Sequence, residues 1–330
     1  MTLHGVESSL ADPGACVACG GPLMLWELIE TATLIDAWQR EDASAGETQV
    51  AAARARDLRA SLPPTVAFHR CVDCGLEMAW PATVWSAATY PRDQSYPVRW
   101  EFAHSLDQLG SMPLDVLEIG CGTGRFLELA EARGHRAIGI DFTDTAVGEA
   151  TRRGRRAFCG GFDALAAHIG PDARFDAVAL FHVIEHVAKP DALFSELGRW
   201  TRPGARLVLS CPGPRRFTRL IREQQAGHSD FWDYPPQHVW RWTLPALGAV
   251  CARHGWRVTR AIEEPFSWTA AGSHIGIARA QHRRVLDHPL WRRLSLAIGW
   301  WRLMRSPARR HGVSLYLSAV RPQSSAQHAA

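Results

Sequence analysis

The stretch of sequence that decides the fold is Val116-Leu117-Glu118-Ile119-Gly120-Cys121-Gly122-Thr123-Gly124-Arg125-Phe126. An apolar run ends beside an acidic residue, three glycines follow at alternate positions, and the apolar pattern then resumes. Glycine tolerates positive φ and lets the backbone approach a ligand closely, so the pattern predicts a strand, a tight loop and a helix. The free N–H groups at the start of such a helix point towards the same place. The stretch therefore predicts a pocket of nucleotide size.

Strands and helices are predicted to alternate after this loop. Apolar runs predict strands at residues 136–140, 157–159, 175–181, 206–210, 256–259 and 313–320. Helices are predicted at 191–200 and at 244–254, with Gly255 as the cap of the second, and a turn is predicted at 202–204. The run 175–181 is almost wholly apolar, as a central parallel strand should be. This alternation predicts an α/β fold with a parallel sheet and right-handed crossovers.

Composition and charge limit the class of protein. Hydrophobic residues make up 46% of the 330-residue chain and charged residues 21%, which is typical of a folded domain. Residues 281–310 hold eight Arg and one Asp, a local charge of +7, which leaves about −3 elsewhere from a net charge of +4. The charge pattern therefore predicts no general affinity for polyanions. The sequence has no signal segment and no apolar run of about 18 residues, so we expect a cytoplasmic protein without a transmembrane segment.

Two cysteine pairs predict a zinc site. Cys16-Val17-Ala18-Cys19-Gly20 and Cys71-Val72-Asp73-Cys74-Gly75 are CxxC pairs that are each followed by glycine. Two such turns can direct four thiolates to one tetrahedral Zn²⁺ ion, and a site with four filled positions is usually structural. A helix is predicted between the pairs, at residues 47–62. The alternatives are two unrelated turns or a redox pair; the shared glycine favours zinc.

The predicted domain organisation has a small and a large part. Residues 1–95 form the zinc-ribbon-like segment and its connector, and residues 96–320 form the α/β domain. The aromatic residues of the connector either pack the two parts together or line a substrate site. Residues 212–243, rich in Pro and Trp, are predicted to form a lid. A basic amphipathic helix is predicted within 280–310, either packed on the domain or turned to a membrane surface or a nucleic-acid backbone. Residues 321–330 are predicted to be a disordered tail.

The glycine motif and its neighbours resemble a known family. The oxidoreductase motif GxGxxG requires glycine where Arg125 stands. Asp141 lies 21 residues after Gly120, at the tip of the second predicted strand, where an acidic side chain can accept hydrogen bonds from ribose hydroxyls. The pattern Glu118-x-Gly120-x-Gly122-x-Gly124, with Asp141 and the strand at 175–181, resembles the class I S-adenosylmethionine-dependent methyltransferases over about residues 114–262.

Further motifs are similar to one branch of that family. The ubiquinone-biosynthesis methyltransferases are the branch that shares the patterns at 181–187, 202–204, 235–238 and 254–256. The paired CxxC motifs resemble those of bacterial methyltransferases that carry a zinc ribbon. The resemblance implies a doubly wound, mostly parallel, seven-stranded Rossmann-like sheet and S-adenosyl-L-methionine as cofactor. By this resemblance, the methionine part of the cofactor would contact Glu118, Gly120, Gly122 and Gly124, and the ribose would contact Asp141. The adenine would lie between Phe162 and Asp163, and the sulfonium would lie near Phe181 and His182.

Four residues are candidates for the chemistry of methyl transfer. His182, Glu185 and His186 lie at i, i+3 and i+4, which is one face of a helical turn, and His238 lies in the predicted lid. Histidine can take the proton of a hydroxyl acceptor near neutral pH. The alternative is a structural role, in which Glu185 and His186 cap and tether the helix and His238 tethers its loop. The relatives have Glu-x-x-Glu-His here, so His182 disfavours a site for a hard cation.

The predicted function is methyl transfer from S-adenosylmethionine to oxygen or carbon of a small molecule of the sugar, quinone or secondary-metabolite type. The first alternative is an RNA methyltransferase that uses the cysteine segment and the basic residues 281–310 to hold the nucleic acid. Against it, the cysteine segment is not especially basic, and the sequence shows no stacking motif of single-strand readers. The second alternative is a binding module that keeps the fold without catalysis. The sequence does not indicate an oligomeric state.

Overall fold

The computed structural model describes residues 13–44, 48–85, 99–219, 231–268, 297, 300, 301, 304, 305 and 311–323. The described residues contain two β-sheets. Strands and helices of the amino-terminal part are β1 (Leu23–Glu30), α1 (Thr31–Ser44), α2 (Thr48–Ser61), β2 (Thr65–Cys71) and β3 (Glu77–Trp80). Helix α2 confirms the helix that the sequence predicted at 47–62.

The larger sheet has seven strands and confirms the predicted fold class. Its strands are β4 (Asp115–Ile119), β5 (Arg136–Asp141), β6 (Ala157–Cys159), β7 (Phe175–Phe181), β8 (Thr201–Pro212), β10 (Arg257–Glu263) and β11 (Ser314–Val320). They lie in the order β10-β11-β8-β7-β4-β5-β6. The strands from β8 to β6 are parallel, whereas β11 runs antiparallel to both β8 and β10. The sheet is therefore the mostly parallel, doubly wound one that the resemblance implied.

Helices cover both faces of this sheet. They are α3 (Trp100–Leu109), α4 (Arg125–Ala132), α5 (Asp144–Arg152), α6 (Phe162–Ile169), α7 (Pro190–Trp200) and α8 (Leu244–Arg253). Alternate residues of β4 enter different cores, with Val116 packed near Phe126 of α4 and Leu117 packed near Leu197 of α7. A strand that is buried on both faces must be apolar at every position. This requirement explains the unbroken apolar runs of the central strands.

The turn that the sequence predicted at 202–204 lies inside strand β8. Phe175 of β7 pairs with Thr201, but Ala177 pairs with Arg206, so the extra residues of β8 form a bulge. Gly204 has a φ of 84°, which glycine adopts without strain, and its N–H donates to the carbonyl of Arg321 at 2.9 Å. The N–H of Arg321 in turn donates to the carbonyl of Ala205 at 2.8 Å, so the turn signal marks a bulge that is held by main-chain bonds to Arg321.

The smaller sheet is completed by a strand from the predicted lid. Strand β9 (Trp240–Arg241) pairs with β3 in the order β1-β2-β3-β9. Arg241 is buried and donates hydrogen bonds to Glu77 at 2.9 Å and to Glu27 at 3.0 Å. Thr243 donates from its hydroxyl to the carbonyl of Cys74 at 2.6 Å. The amino-terminal part and the residues around 240 are thus joined by main-chain and side-chain bonds.

Several predictions concern residues outside the described ranges. The predicted boundary between residues 95 and 96, the tail from 324 and the middle of the lid, 220–230, all lie there. Of the basic helix predicted within 280–310, only residues 297, 300, 301, 304 and 305 are described; all five are helical, and Trp301 and Met304 are exposed. Within the described ranges, no helix combines the length and the apolar character that crossing a membrane requires.

Candidate active site

The glycine loop joins β4 to α4 and lies against the turn that follows β7. Gly120 has a φ of 73°, in the region that favours glycine. A Cβ atom on Gly120 would lie 2.4 Å from Cγ2 of Val183, so a larger residue does not fit. The N–H groups of Gly120 and Cys121 donate to the carbonyl of Ile140 on β5, at 2.8 and 3.1 Å. The loop is therefore fixed between the carboxyl ends of β5 and β7.

The carboxylate of Asp141 holds the same loop from the end of β5. Its Oδ2 accepts a hydrogen bond from the N–H of Gly122 and its Oδ1 accepts one from the N–H of Thr143, both at 2.8 Å. A carboxylate has about four acceptor positions, so this one can still accept hydrogen bonds from a ligand. Asp141 is thus positioned at the loop as a ribose acceptor would have to be, and its role with ribose stays a prediction.

Glu118 is a buried carboxylate that lacks compensation at one oxygen. Its residue is 2% exposed, and Oε2 has no hydrogen-bond partner in the described part of the chain. Burial raises the pKa of Glu118 well above its ordinary value, and the charge of Asp141 raises it further. A buried carboxylate without a partner is costly unless a cation or a hydrogen-bond donor binds it. S-adenosylmethionine carries an ammonium and a sulfonium group, so the site fits this cofactor.

His182 follows β7 and lies between two buried carboxylates. Its Nε2 is 3.1 Å from Oε1 of Glu101 and 3.2 Å from the hydroxyl of Ser314. Its Nδ1 is 3.5 Å from Oε1 of Glu185. Burial and the charge of Arg99 lower the pKa of His182, but Glu101 and Glu185 outweigh them and raise it. The imidazole therefore favours the protonated form, and its φ of 55° puts the residue in the left-handed region.

Glu185 and His186 lie in a 3₁₀ turn (Ile184–His186) directly after His182. Glu185 is 1% exposed, and neither of its carboxylate oxygens has a hydrogen-bond partner among the described residues. Its Oε1 is 3.7 Å from Nε2 of His186. Burial favours the neutral form of Glu185, but His182 and the other nearby histidines outweigh burial and lower its pKa to about 2. Burial lowers the pKa of His186 to about 4, so this imidazole is neutral at pH 7.

His238 reaches the same place from the predicted lid. Its ring centroid is 4.9 Å from that of His186, and its Nδ1 is 3.0 Å from Oδ1 of Asp233. The carbonyl of Gln237, beside it, lies 2.5 Å from Nδ1 of His186. The structure thus brings together His182, Glu185, His186 and His238, the four residues that the sequence put forward for the chemistry.

The four cysteines of the two CxxC pairs also meet. The Sγ atoms of Cys16 and Cys74 are 3.6 Å apart, those of Cys19 and Cys71 are 3.4 Å apart, and all four lie within 4.8 Å of one another. Zinc–sulfur bonds of about 2.3 Å in a tetrahedron put sulfur atoms about 3.8 Å apart. This cysteine cluster therefore has the donor atoms and nearly the spacing of a structural zinc site.

A family model described as a methyltransferase domain matches residues 94–261, more than half of the chain. The chain belongs to this methyltransferase family. The match confirms the resemblance to class I S-adenosylmethionine-dependent methyltransferases that the glycine motif indicated. This chain is 36% identical over 104 residues to a probable S-adenosylmethionine-dependent methyltransferase of Mycolicibacterium smegmatis, and the match covers 32% of this chain and 40% of that protein.

Two further similarities concern other members. This chain is 31% identical over 119 residues to a ubiquinone biosynthesis O-methyltransferase of Leptothrix cholodnii. The match covers 33% of this chain and 49% of that protein. A solved structure of Haemonchus contortus phosphoethanolamine N-methyltransferase 2 in complex with S-adenosyl-L-methionine matches with a TM-score of 0.47 and 17% identity, over 72% of this chain and 58% of that one. The chain spans about two fifths of the length of the first curated relatives it matches.

Two of the residues predicted to contact the cofactor, Phe181 and Phe162, pack against other aromatic rings of the fold. Phe181 is 7% exposed and packs against Phe102 and Phe126, with ring centroids 4.9 and 4.8 Å away. Phe162 stacks on Trp200, with centroids 6.1 Å apart, and Asp163 is exposed in the first turn of α6. The roles predicted for these three residues with adenine and the sulfonium stay predictions.

Three residues that the sequence did not indicate lie beside the predicted site residues. Glu101 and Ser314 contact His182 from positions 81 and 132 residues away, so no local pattern could have indicated them. Phe142, directly after Asp141, is 72% exposed, and a Cβ on Gly161 would lie 3.5 Å from its ring. An exposed aromatic ring beside the end of β6 is suited to stack on a purine. An aromatic residue straight after the acidic strand end was the available signal.

Proposed function

We propose that this protein transfers a methyl group from S-adenosylmethionine to an oxygen or carbon atom of a small-molecule acceptor, of the sugar, quinone or secondary-metabolite type. The observation that carries the proposal is the buried Glu118 beside the glycine loop, whose Oε2 has no hydrogen-bond partner among the described residues. Such a group is suited to bind a cationic or hydrogen-bond-donating ligand. When bound, the cofactor supplies an electrophilic methyl group on its sulfonium.

The residues of the glycine loop would hold that cofactor. Glu118 would bind its cationic methionine part, Gly120 and Gly122 would let the backbone approach it, and Asp141 would accept from the ribose. Val183 lies against Gly120, so the turn that carries Glu185 begins at the cofactor loop. The acceptor therefore belongs at the carboxyl edge of the sheet, and its alignment with the methyl group is the main work of the enzyme.

A hydroxyl acceptor must also lose a proton, and the cluster after β7 is placed to take it. The raised pKa of His182 favours its protonated form, so this imidazole is less suited to accept the proton. It is better suited to orient or donate to an acceptor oxygen, with Glu101 and Ser314 as positioning residues. His186 and His238 remain as candidates for the proton acceptor.

We further propose that the cysteine cluster binds a structural Zn²⁺ ion. Its four sulfur atoms fill a tetrahedral site and leave no position for a substrate. The backbone N–H of Gly21 lies 3.4 Å from Sγ of Cys19, as expected for a thiolate that is stabilised by a main-chain donor. The ion would hold the start of β1 against the end of β2.

The decisive test of methyl transfer is in two steps. Calorimetry with S-adenosylmethionine should show one binding site per chain, and absence of binding would remove both the small-molecule and the RNA reading. Turnover with radiolabelled cofactor is then screened against sugar nucleotides, phenols and RNA, with Gly120→Val as the inactive control. Label in a small molecule supports the proposal. Label only in RNA, with retention that weakens as salt rises, would replace it with the RNA alternative.

A further inference from the structure

We propose that Glu185, His186 and His238 form a second metal site, which takes a divalent transition ion with imidazole affinity such as Zn²⁺ or Fe²⁺. One ligand atom from each of these residues lies within 4.8 Å of the others. We call this set the Glu–His–His cluster. It draws two ligands from the turn after β7 and the third from the segment before β9.

The state of Glu185 is the first reason. The residue is 1% exposed, and among the described residues neither carboxylate oxygen has a hydrogen-bond partner. Nδ1 of His182 lies 3.5 Å and Nε2 of His186 lies 3.7 Å from its Oε1, beyond good hydrogen-bond distance. The nearby imidazoles favour the charged form, but the acceptor positions of both oxygens are unused, and a coordinated cation would use them.

The contacts behind the two histidines are the second reason. Nδ1 of His186 lies 2.5 Å from the carbonyl of Gln237, and Nδ1 of His238 lies 3.0 Å from Oδ1 of Asp233. Asp233 is itself held by Arg216 at 2.7 Å, inside the protein. Histidines that bind metals commonly donate one ring N–H to a carbonyl or carboxylate, which directs the other nitrogen at the ion. Both histidines therefore have the outer contacts of metal ligands.

The ligand set also selects the kind of ion. Two imidazoles and one carboxylate suit Zn²⁺ and Fe²⁺, whereas Mg²⁺ and Ca²⁺ prefer oxygen donors. Three protein ligands leave at least one position open, as in catalytic rather than structural sites. A tetrahedral zinc ion with bonds of about 2.0 Å spaces its ligand atoms about 3.3 Å apart, so the 3.7 Å between Glu185 and His186 needs little adjustment.

The proposed metal site differs from the set of His182, Glu185 and His186 that the sequence placed on one face of a helical turn. His182 is outside it, because only the ligand atoms of Glu185, His186 and His238 all lie within 4.8 Å of one another. The third ligand comes instead from the segment that carries His238. The N–H of Val239 donates to the carbonyl of Glu185 at 3.0 Å, which already holds that segment beside the turn.

The inference goes beyond the proposed methyl transfer, since metal binding is measured without it. It does change the role proposed for His186 and His238 as proton acceptors, because a histidine whose Nε2 binds an ion cannot take a proton there. A metal ion would replace His186 and His238 as the activating group, since a bound ion lowers the pKa of a coordinated hydroxyl.

The test is a cobalt titration of the full chain, produced without a histidine tag and freed of metals by chelation. Cobalt bound by thiolates gives intense charge-transfer absorption, and cobalt bound by nitrogen and oxygen gives only weak visible bands. We expect about two cobalt ions per chain, one with thiolate bands and one without. Glu185→Gln and His238→Gln should each weaken the second site more than about a hundredfold, since loss of an outer contact alone costs 10- to 100-fold.

The thiolate band serves as the internal control, because it reports that the protein still folds around its cysteine cluster. His168→Gln makes the same substitution at an exposed histidine of α6 and should keep both ions. Binding of cobalt by thiolates alone would overturn the proposal, as would a second ion that persists in both Glu185→Gln and His238→Gln. Cofactor affinity, measured on the same samples, shows separately whether the methyl-transfer proposal stands.

Discussion

The cysteine cluster and the Glu–His–His cluster both gather metal-ligating side chains, but they are built differently. The four cysteines of two matching turns would fill every position of a tetrahedron around one ion. The second cluster supplies three ligands of two kinds from unlike elements, a 3₁₀ turn and the segment before a short strand. The first can therefore hold two strands together, and the second leaves a position that a reactant could occupy.

Their surroundings differ in the same sense. The buried cysteines belong to one hydrophobic core with Leu117 and Val178, so the sulfur atoms are part of the packing. The Glu–His–His cluster contains a buried carboxylate, that of Glu185, whose oxygens have no hydrogen-bond partner among the described residues. A buried polar group without hydrogen bonds destabilises a fold, and proteins keep such groups where a ligand can satisfy them. The comparison thus separates a region built for stability from a region built for binding.

The largest effect that would sharpen this comparison is expected at the cysteine cluster. Cys71→Ser should abolish stoichiometric zinc binding and lower the melting temperature, because structural zinc contributes on the order of 10 kcal/mol to a folded site. Metal analysis after gel filtration and calorimetric melting measure the two results. Cys159→Ser alters an exposed cysteine outside the cluster and should leave zinc unchanged. Full zinc content in Cys71→Ser would refute the four-cysteine site.

A second large effect is expected at the glycine loop. Gly120→Val puts a branched side chain at a φ of 73° and against Val183, so cofactor affinity should fall by at least about 3 kcal/mol, more than a hundredfold. Calorimetric titration measures the affinity, and the zinc content should not change. Gly148→Val is the matched control, because nothing lies within 4 Å of a Cβ added on that helix. If Gly120→Val binds the cofactor normally, the glycine loop does not bind it, and the contrast between a stabilising region and a binding region fails.

The sequence indicated most of the fold because its signals are local. The apolar run at 175–181 and the glycine loop determine their own structure, and β7 and the β4–α4 junction are where they were predicted. The turn signal at 202–204 was misread, because Pro203 and Gly204 are compatible with a bulge as well as a turn. The pairing of β8 with β7 and β11 decides between a bulge and a turn, and this pairing joins residues that are far apart in the sequence.

The candidate site likewise contains residues that a local sequence pattern indicated and residues that only the fold brings together. The cysteine cluster could be predicted because two copies of one motif carry it, and repetition is visible in a sequence. The partners of His182 could not, because Glu101 lies on α3 and Ser314 on β11, and their contacts with it exist only in the folded sheet. His238 was found through composition, while its approach to Glu185 depends on the pairing of β9 with β3.

An intermediate effect is expected from the buried pair of Glu101 and His182. Glu101→Gln removes a buried partner charge, so the free energy of unfolding should fall by about 3 kcal/mol. His182 has a raised pKa, so its share of the stability is present below its ordinary value of 6.5 and is lost as pH rises through the folded value. Glu101 has a lowered pKa, so its share is present above 4.5 and is lost as pH falls through the folded value. Denaturant unfolding should therefore show the largest loss of stability in Glu101→Gln between pH 4.5 and pH 6.5.

The control for Glu101→Gln lies on the same helix. Asp107→Asn removes a carboxylate that pairs with Arg133 on the surface, where the two side chains are 66% and 51% exposed, and its effect should be near zero. Imidazole titration by NMR should show a lower pKa of His182 in Glu101→Gln only. An unchanged pKa of His182 would mean that Glu101 does not set its charge, and that the region after β7 is less electrostatically organised than the comparison holds.

The smallest effect is expected at Asp141, where the two kinds of region meet. Its carboxylate fixes the loop through Gly122 and Thr143, and it is also the predicted acceptor for the ribose. Asp141→Ala should weaken cofactor binding by about 1–3 kcal/mol, the usual cost of losing charged hydrogen bonds. Asp144→Ala, an exposed carboxylate in the first turn of α5, should keep the affinity of the unaltered protein. If Asp141→Ala binds the cofactor normally, the carboxylate serves only to hold the loop. The ribose must then be bound by other groups, and the boundary between the stabilising and the binding region would run through the glycine loop itself.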